Sequence, residues 1–285
     1  MSLRWGIDLG GTKVECAVLD GEKAVVRRRL PTEADRGYEH ILGQICRLID
    51  ETAGELGAKP ATLGIGTPGS ADPRTRLMRN ANTTCLIGRP LPTDLESKLG
   101  IPVRVANDAN CFALAEALLG AAKGYRTVFG VIMGTGVGGG VVVDGKVLDG
   151  KSGIAGEWGH NILEPEGEPC YCGKRGCVET VLSGPALERW HLKQTGEAKK
   201  LKEIAAENGL AVGHACTEFG RALSVVVNIL DPDAIVLGGG VSNLERLYTD
   251  GGAALKANVF HDDYRPTILK PQLGDSAGVF GAAML

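Results

Sequence analysis

The chain has 285 residues, 44% hydrophobic and 23% charged, with a net charge of −3. That is room for one or two domains with a sizeable core, and the lack of a basic excess argues against a nucleic-acid partner. No apolar run approaches the roughly 18 residues of a membrane span. The opening Met-Ser-Leu-Arg-Trp-Gly-Ile-Asp lacks the apolar segment of a secretory signal. A cytoplasmic protein is therefore expected, its eight cysteines serving as thiols or metal ligands rather than disulfides.

Along the chain, residues 4–9 and 14–19 are apolar and β-rich, and a third strand near 24–30 follows the Asp20-Gly21 turn. A helix is predicted over 37–57, with Ile41, Leu42, Ile45, Leu48 and Ile49 on one face. A strand at 62–66 runs into the breaker Thr67-Pro68-Gly69. Residues 70–90 are polar and aperiodic, and read as a long functional loop. A short helix (93–99), a strand (103–106), a helix (109–121), a strand (127–133) and a hairpin (139–148) follow. The remainder is mainly helical, interrupted by a strand at 234–237 and by Gly238, Gly239 and Gly240. Alternating strands and helices give an α/β class. Residues 6–21 can be laid on 130–145 at a constant offset, each reading strand, glycine turn, strand, Asp-Gly turn. This echo suggests two similar domains built on one plan.

Three glycine motifs compete for a nucleotide. Gly134-Thr-Gly136-Val-Gly138-Gly139 satisfies the dinucleotide fingerprint, but that fingerprint requires a helix to open at its last glycine, and here a strand continues. The run 145–152 matches the P-loop pattern by letter, yet it begins in an Asp-Gly hairpin and Gly153 and Gly156 discourage a helix, so the match is read as accidental. Asp8-Leu9-Gly10-Gly11-Thr12-Lys13 is a strand-to-strand turn ending in a hydroxyl and a cation. Exposed N–H groups in such a turn can cup an anion, and missing Cβ atoms let phosphate come close. Asp8 could hold Mg²⁺ through water. Paired with Gly134, Thr135, Gly136 and Gly138, this turn would form a two-sided phosphate clamp, with Gly239 and Gly240 as a third close approach. A simple β-hairpin is the alternative.

The segment 156–179 carries the densest signal. His160, Cys170, Cys172 and Cys177 make a Cys₃His set suited to structural zinc; the alternative is a group of ordinary thiols or a disulfide. Glu157 and Glu179 lie beside ligands at either end, so a zinc knot would fix two carboxylates and one imidazole. The second nitrogen of His160 could still face a polar ligand, and Trp158, more often a core residue, could pack on it. The turns at 10–13 and 134–138 stand on their own hairpins far away in sequence, so the knot is expected to govern binding of that ligand rather than of the nucleotide.

Together, Asp8 to Lys13, the turn at 134–140, Glu157-x-x-His160, Cys-x-Cys-Gly-x-x-Gly-Cys-x-Glu and the glycines 238–240 resemble the ROK family over nearly the whole chain. That family contains bacterial sugar kinases and sugar-responsive repressors. The resemblance implies an actin-like (ribonuclease H-like) two-domain sugar kinase and ATPase fold with a structural zinc loop. It implies an N-terminal domain of 1–110 plus a C-terminal helix at 275–285, and a second domain of 111–274. It implies ATP with Mg²⁺, a hexose bound in a cleft that closes, and a homodimer. Asn107-Asp108-Ala109-Asn110 matches the family's active-site stretch, with Asp108 as catalytic base. Taken as a sequence alone, Asp108 could equally be the N-cap of the following helix. Gly69, Asn82, Asn107, Asp108, Glu157, His160 and Glu179 are the implied sugar ligands. The stretches 80–84, 155–161 and 228–233 look closest to bacterial fructokinases that also accept mannose, so fructose is the first expected substrate. Only residues 161–169 separate His160 from Cys170, as in N-acetylglucosamine kinases and glucokinases, which are the alternatives. A non-catalytic sugar sensor or a repressor is disfavoured, because Asp8, Lys13 and Asp108 are all present and the first turn begins at Gly10.

Overall fold

The β-rich segments form two five-stranded sheets, each with its own helices. The computed structural model describes residues 3–285; Met1 and Ser2, at the start of the expected N-terminal domain, lie outside the described residues. In chain order the elements are β1 (Leu3–Leu9), β2 (Lys13–Asp20), β3 (Lys23–Pro31), α1 (Tyr38–Leu56), β4 (Leu63–Thr67), β5 (Ser70–Ala71), β6 (Met78–Arg79), α2 (Leu91–Leu99), β7 (Val103–Asn107) and α3 (Asp108–Leu118). Then come β8 (Thr127–Met133), β9 (Val137–Val143), β10 (Lys146–Val147), α4 (Val178–Leu182), α5 (Gly184–Thr195), α6 (Leu201–Glu207), α7 (Leu210–Leu230), β11 (Ala234–Gly238), α8 (Asp250–Asn258), β12 (Ile268–Leu269) and α9 (Ala277–Ala283). One compact unit holds the chain up to Leu119 with Val147–Ala155 and Leu273–Leu285; the other holds Gly120–Lys146 and Gly156–Gln272.

In the first unit the strand order is β3-β2-β1-β4-β7, with β1–β2 and β2–β3 antiparallel and β1–β4 and β4–β7 parallel. Successive residues of β1 face opposite sides. Trp5, Ile7 and Leu9 join a core with Ile41, Leu42, Ile45, Leu48 and Ile49 of α1. The other side carries Gly6, and β4 carries Gly64, where a Cβ would fall 2.4 Å from Val279 O and 1.8 Å from Ala282 O. Helix α9 therefore lies with its backbone almost on the sheet. The domain boundary falls at Leu119 rather than at residue 110, because α3 packs on α9 and so belongs wholly to the first unit. The helix expected over 109–121 stops at Leu118.

In the second unit the order is β10-β9-β8-β11-β12, with β8–β9 antiparallel and β11 parallel to both β8 and β12. Position for position this repeats the first sheet, as the internal echo suggested. Three residues join β1 to β2 and three join β8 to β9, so the constant offset holds for both strands. Only the pairing register slips by one, with Leu9 opposite Val14 but Met133 opposite Val137. Phe129, Val131 and Met133 pack with Phe219, Leu223 and Val227 of α7 in one core. Helix α7 is long and apolar enough to cross a membrane by length and composition, contrary to the reading of the sequence, but 61% of its apolar window is buried inside the protein. It is a core helix.

The segment 70–90 is more ordered than an aperiodic loop. β5 and β6 pair as a small hairpin, Asp72 Oδ1 accepts from the backbone N–H groups of Arg74 and Thr75, and Met78 and Leu86 are fully buried. Two-residue strands are too short to leave a periodic trace. The P-loop-like run is a hairpin turn, with Asp144 and Gly145 at φ 50° and 71°, the left-handed pair such turns require. No helix follows it, nor does one open at Gly139, which lies inside β9.

Candidate active site

In the first unit the candidate residues gather at the carboxyl ends of three parallel strands, where open α/β sheets bind ligands. Asp8 of β1 lies beside Gly66 of β4, and Thr67 at the end of β4 lies beside Asn107 at the end of β7. Gly69 takes φ 95°, and a Cβ there would meet Arg79 O at 2.4 Å and Ala81 N at 2.8 Å. Only glycine lets this bend close against the residue preceding Asn82, which is exposed.

The helix cap is resolved at Asn107. Its Oδ1 accepts from Asn110 N at 2.7 Å, so Asn107 is the N-cap of α3. Asp108 is relieved of capping; its Oδ1 accepts from the adjacent Ala109 N, at 2.8 Å. Its side chain is reached by water on one face, yet crowding by protein strips enough solvent to raise its carboxyl above the usual range. Asp8 is half-buried, and burial first, then Asp108 and Glu15, push its carboxyl up to about 6, against the pull of Lys13 and Arg29. Two carboxylates thus share one neighbourhood. Asp8 gains from a nearby cation, which fits Mg²⁺ carried with a nucleotide.

The turn after Asp8 is closed by Gly10 N donating to Lys13 O and pinned by Thr32 Oγ1 donating to Gly10 O. Among the described residues no acceptor takes the N–H of Gly11 or Thr12, both exposed beside Lys13. Those groups suit an anion.

In the second unit the turn at 134–136 leaves the carboxyl end of β8, and Gly239 follows the carboxyl end of β11, paired with β8. Gly239 adopts φ 81°, and a Cβ there would sit 2.3 Å from Met133 O. The two glycine segments expected to meet a nucleotide, Gly134 with Thr135, Gly136 and Gly138, and Gly239 with Gly240, are therefore neighbours.

His160, Cys170, Cys172 and Cys177 converge, with their ligand atoms all within 4.8 Å of one another. Cys170 Sγ lies 3.6 Å from His160 Nδ1, and Cys172 Sγ lies 3.6 Å from Cys177 Sγ. A tetrahedral shell with Zn–S of about 2.3 Å and Zn–N of about 2.0–2.1 Å has edges of roughly 3.5–3.8 Å. The set fits zinc, and those sulfurs are too far apart for a disulfide. Gly176, at φ 63°, lets the knot close, because a Cβ there would lie 1.5 Å from Glu164 O.

Three features escape the sequence. Nε2 of His160 does not stand open: it meets Tyr171 Oη at 3.1 Å, with the rings edge to face. Tyr171 stands between the two cysteines of the Cys-x-Cys pair, and that position was the available signal. Trp158 is core, 3% exposed, as the sequence allowed; what the sequence does not show is that its Nε1 donates to Gly138 O. Glu179 Oε2 accepts from Val137 N at 2.9 Å. The glycine turn at 134–136 therefore does not stand on its own hairpin, because the segment that carries the Cys₃His set reaches it.

The ROK family profile matches residues 4–285. The N-acetyl-D-glucosamine kinase of Pasteurella multocida is 38% identical over 303 residues, covering 99% of each chain; that of Vibrio parahaemolyticus is 36% identical over 300 residues, covering 99% of this chain and 98% of its own. Among solved structures, the ROK hexokinase from Thermus thermophilus superposes with a TM-score of 0.89 at 34% identity, covering 99% of this chain and 97% of that one. A ROK family glucokinase from Streptomyces griseus, in complex with glucose and AMPPNP, gives 0.78 at 30% identity, covering 99% and 98%. The fold is the actin-like, ribonuclease H-like two-domain sugar kinase fold. With its profile matched almost end to end and relatives alike over their full length, this chain belongs to the ROK family.

Proposed function

We propose that this carbohydrate kinase transfers the γ-phosphoryl group of ATP, bound with Mg²⁺, to a hydroxyl of N-acetyl-D-glucosamine. The observation that carries the reaction is Asp108: a carboxylate at a strand's end, relieved of capping by Asn107, with its pKa displaced upward by crowding. A base whose pKa moves toward the working pH is a better proton acceptor for an attacking hydroxyl. Phosphoryl transfer otherwise needs positioning and charge neutralisation. Lys13 and the turns at 10–13 and 134–138 would supply these to the phosphates, with Gly239 and Gly240 beside the nucleotide and Asp8 serving Mg²⁺. Gly69, Asn82, Asn107, Glu157 and Glu179 would orient the sugar; His160, with Nδ1 toward Cys170 and Nε2 on Tyr171, would serve the metal set, and zinc, when bound, would supply rigidity.

The substrate reading moves from fructose to N-acetyl-D-glucosamine. Two relatives carrying that name match over 98–99% of their own length, and the short interval 161–169 points the same way. The stretch 228–233, which favoured fructokinase, is occupied with structure: Asn228 Oδ1 accepts from Phe260 N, Asp231 ends α7 at φ 45°, and Asp233 Oδ2 accepts from Thr127 N. It carries no information about the sugar. The test is coupled ADP release with N-acetylglucosamine, glucose, mannose and fructose. N-acetylglucosamine should lead in kcat/KM by about tenfold or more, as expected where a site pairs with a polar substituent. A lead for fructose or glucose would reject this substrate.

A further inference from the structure

The segment that carries the metal set touches the turn at 134–138 at two places, and the start of α5 touches it at a third. Glu179 Oε2 accepts from Val137 N at 2.9 Å, Trp158 Nε1 donates to Gly138 O at 2.9 Å, and Gly184 N donates to Gly134 O at 2.8 Å. Glu179 lies two residues after the ligand Cys177, in the first turn of α4. The turn is shaped to receive it: a Cβ at Gly136 would come within 2.5 Å of Glu179 Oε2, and one at Gly159 within 2.0 Å of Val137 O. A side chain at position 136 would displace the carboxylate, and one at 159 would push the knot away from β9.

We propose that Glu179 is a positioning residue for the nucleotide: its carboxylate ties the zinc knot to the glycine turn, which Gly134 N closes onto Gly136 O, and holds the N–H groups of Thr135 and Gly136 in the geometry that receives a phosphate. This rests on the reading of that turn as part of the ATP site. One carboxylate would then serve both substrates, with Oε2 committed to Val137 N–H and Oε1 available to a sugar hydroxyl. Sugar and nucleotide sites would be coupled through a single rigid group, and the knot would govern both.

The experiment uses full-length zinc-loaded protein without sugar. AMPPNP with Mg²⁺ is titrated calorimetrically, and exchange of the 134–138 amides is followed with and without it, for wild type, Glu179→Ala and Glu179→Gln; circular dichroism and zinc content control for folding. Glu179→Ala should weaken AMPPNP about tenfold, the scale of one lost charge-assisted hydrogen bond, and speed exchange at Val137. Glu179→Gln keeps an acceptor and should restore most of the nucleotide affinity. Unchanged Val137 exchange in Glu179→Ala, or faster exchange with unchanged AMPPNP affinity, would overturn the proposal. So would a Gln variant as weak as Ala. Should Glu179→Ala not fold, Glu179→Gln and Gly136→Ala carry the test, the latter expected to weaken AMPPNP by pushing the carboxylate off Val137 and overturning the proposal if it does not. The underlying reading has its own outcome: wild-type amides at 134–138 that AMPPNP fails to protect would remove the turn from the ATP site, whatever Glu179 does.

Discussion

Asp108 shows how one hydrogen bond separates two readings of the same residue. An aspartate between a strand and a helix is an ordinary N-cap, and the sequence alone left that role open. The neighbouring Asn107 fills it, with Oδ1 on Asn110 N. Asp108→Asn should therefore leave the helix intact and both ligands bound while lowering kcat by roughly 10²-fold or more, as for loss of a general base. The wild-type pH profile of kcat/KM should carry an acid limb above the ordinary carboxylate range, because desolvation raises the group. An unchanged kcat with a raised sugar KM would show that Asp108 only positions.

Among elements, α9 is the clearest case of composition following packing. Its sequence, Ala-Gly-Val-Phe-Gly-Ala-Ala, reads as a weak helix, with two glycines in seven residues. The glycines are there for approach: a Cβ at Gly281 would fall 1.8 Å from Cys111 O, and one at Gly278 lies 3.1 Å from Asp8 Oδ2. Backbone atoms cannot yield as a flexible side chain can. Gly281→Val should cost about 3 kcal/mol or more through overpacking against α3, seen as a lower midpoint in thermal or urea unfolding. Gly43→Ala in α1, where a new Cβ meets nothing within 4 Å, should instead gain about 0.5–1 kcal/mol. Equal effects from both would mean that α3 and α9 do not depend on this close contact.

At the scale of the molecule, the same five-strand plan appears twice, and the two copies are specialised differently at the carboxyl edges of their strands. Both carry a glycine turn there; the first copy adds acids, Asp8 and Asp108, and the second adds the metal-ligand set. Zinc removal should therefore act unevenly. Purified protein should hold about one zinc per chain in a four-ligand site. Chelation should speed amide exchange across 157–184 and at 134–138, while the sheet of β1, β4 and β7 keeps its protection. Folded, active protein without metal, or exchange that rises evenly across both units, would contradict this.

Residue spacing by itself determined the main elements, the repeated plan and the metal set. Alternation in β1 and the stripe of α1 are imposed by burial on one face, and four soft ligands within eighteen residues need no distant partner to come together. The accidental P-loop and dinucleotide matches were also legible as such, because a strand or hairpin stood where a helix was required. Tertiary structure decided the rest. The pairing of β12 with β11, the order within 70–90, the boundary at Leu119 and the stop of α3 at Leu118 depend on contacts between distant segments that leave no local period. Tyr171 on His160, Trp158 on Gly138 and Glu179 on Val137 are single polar contacts. Each is made by one side chain at one position, so no repeat or motif could announce it, and the last two fix how the knot and the glycine turn meet.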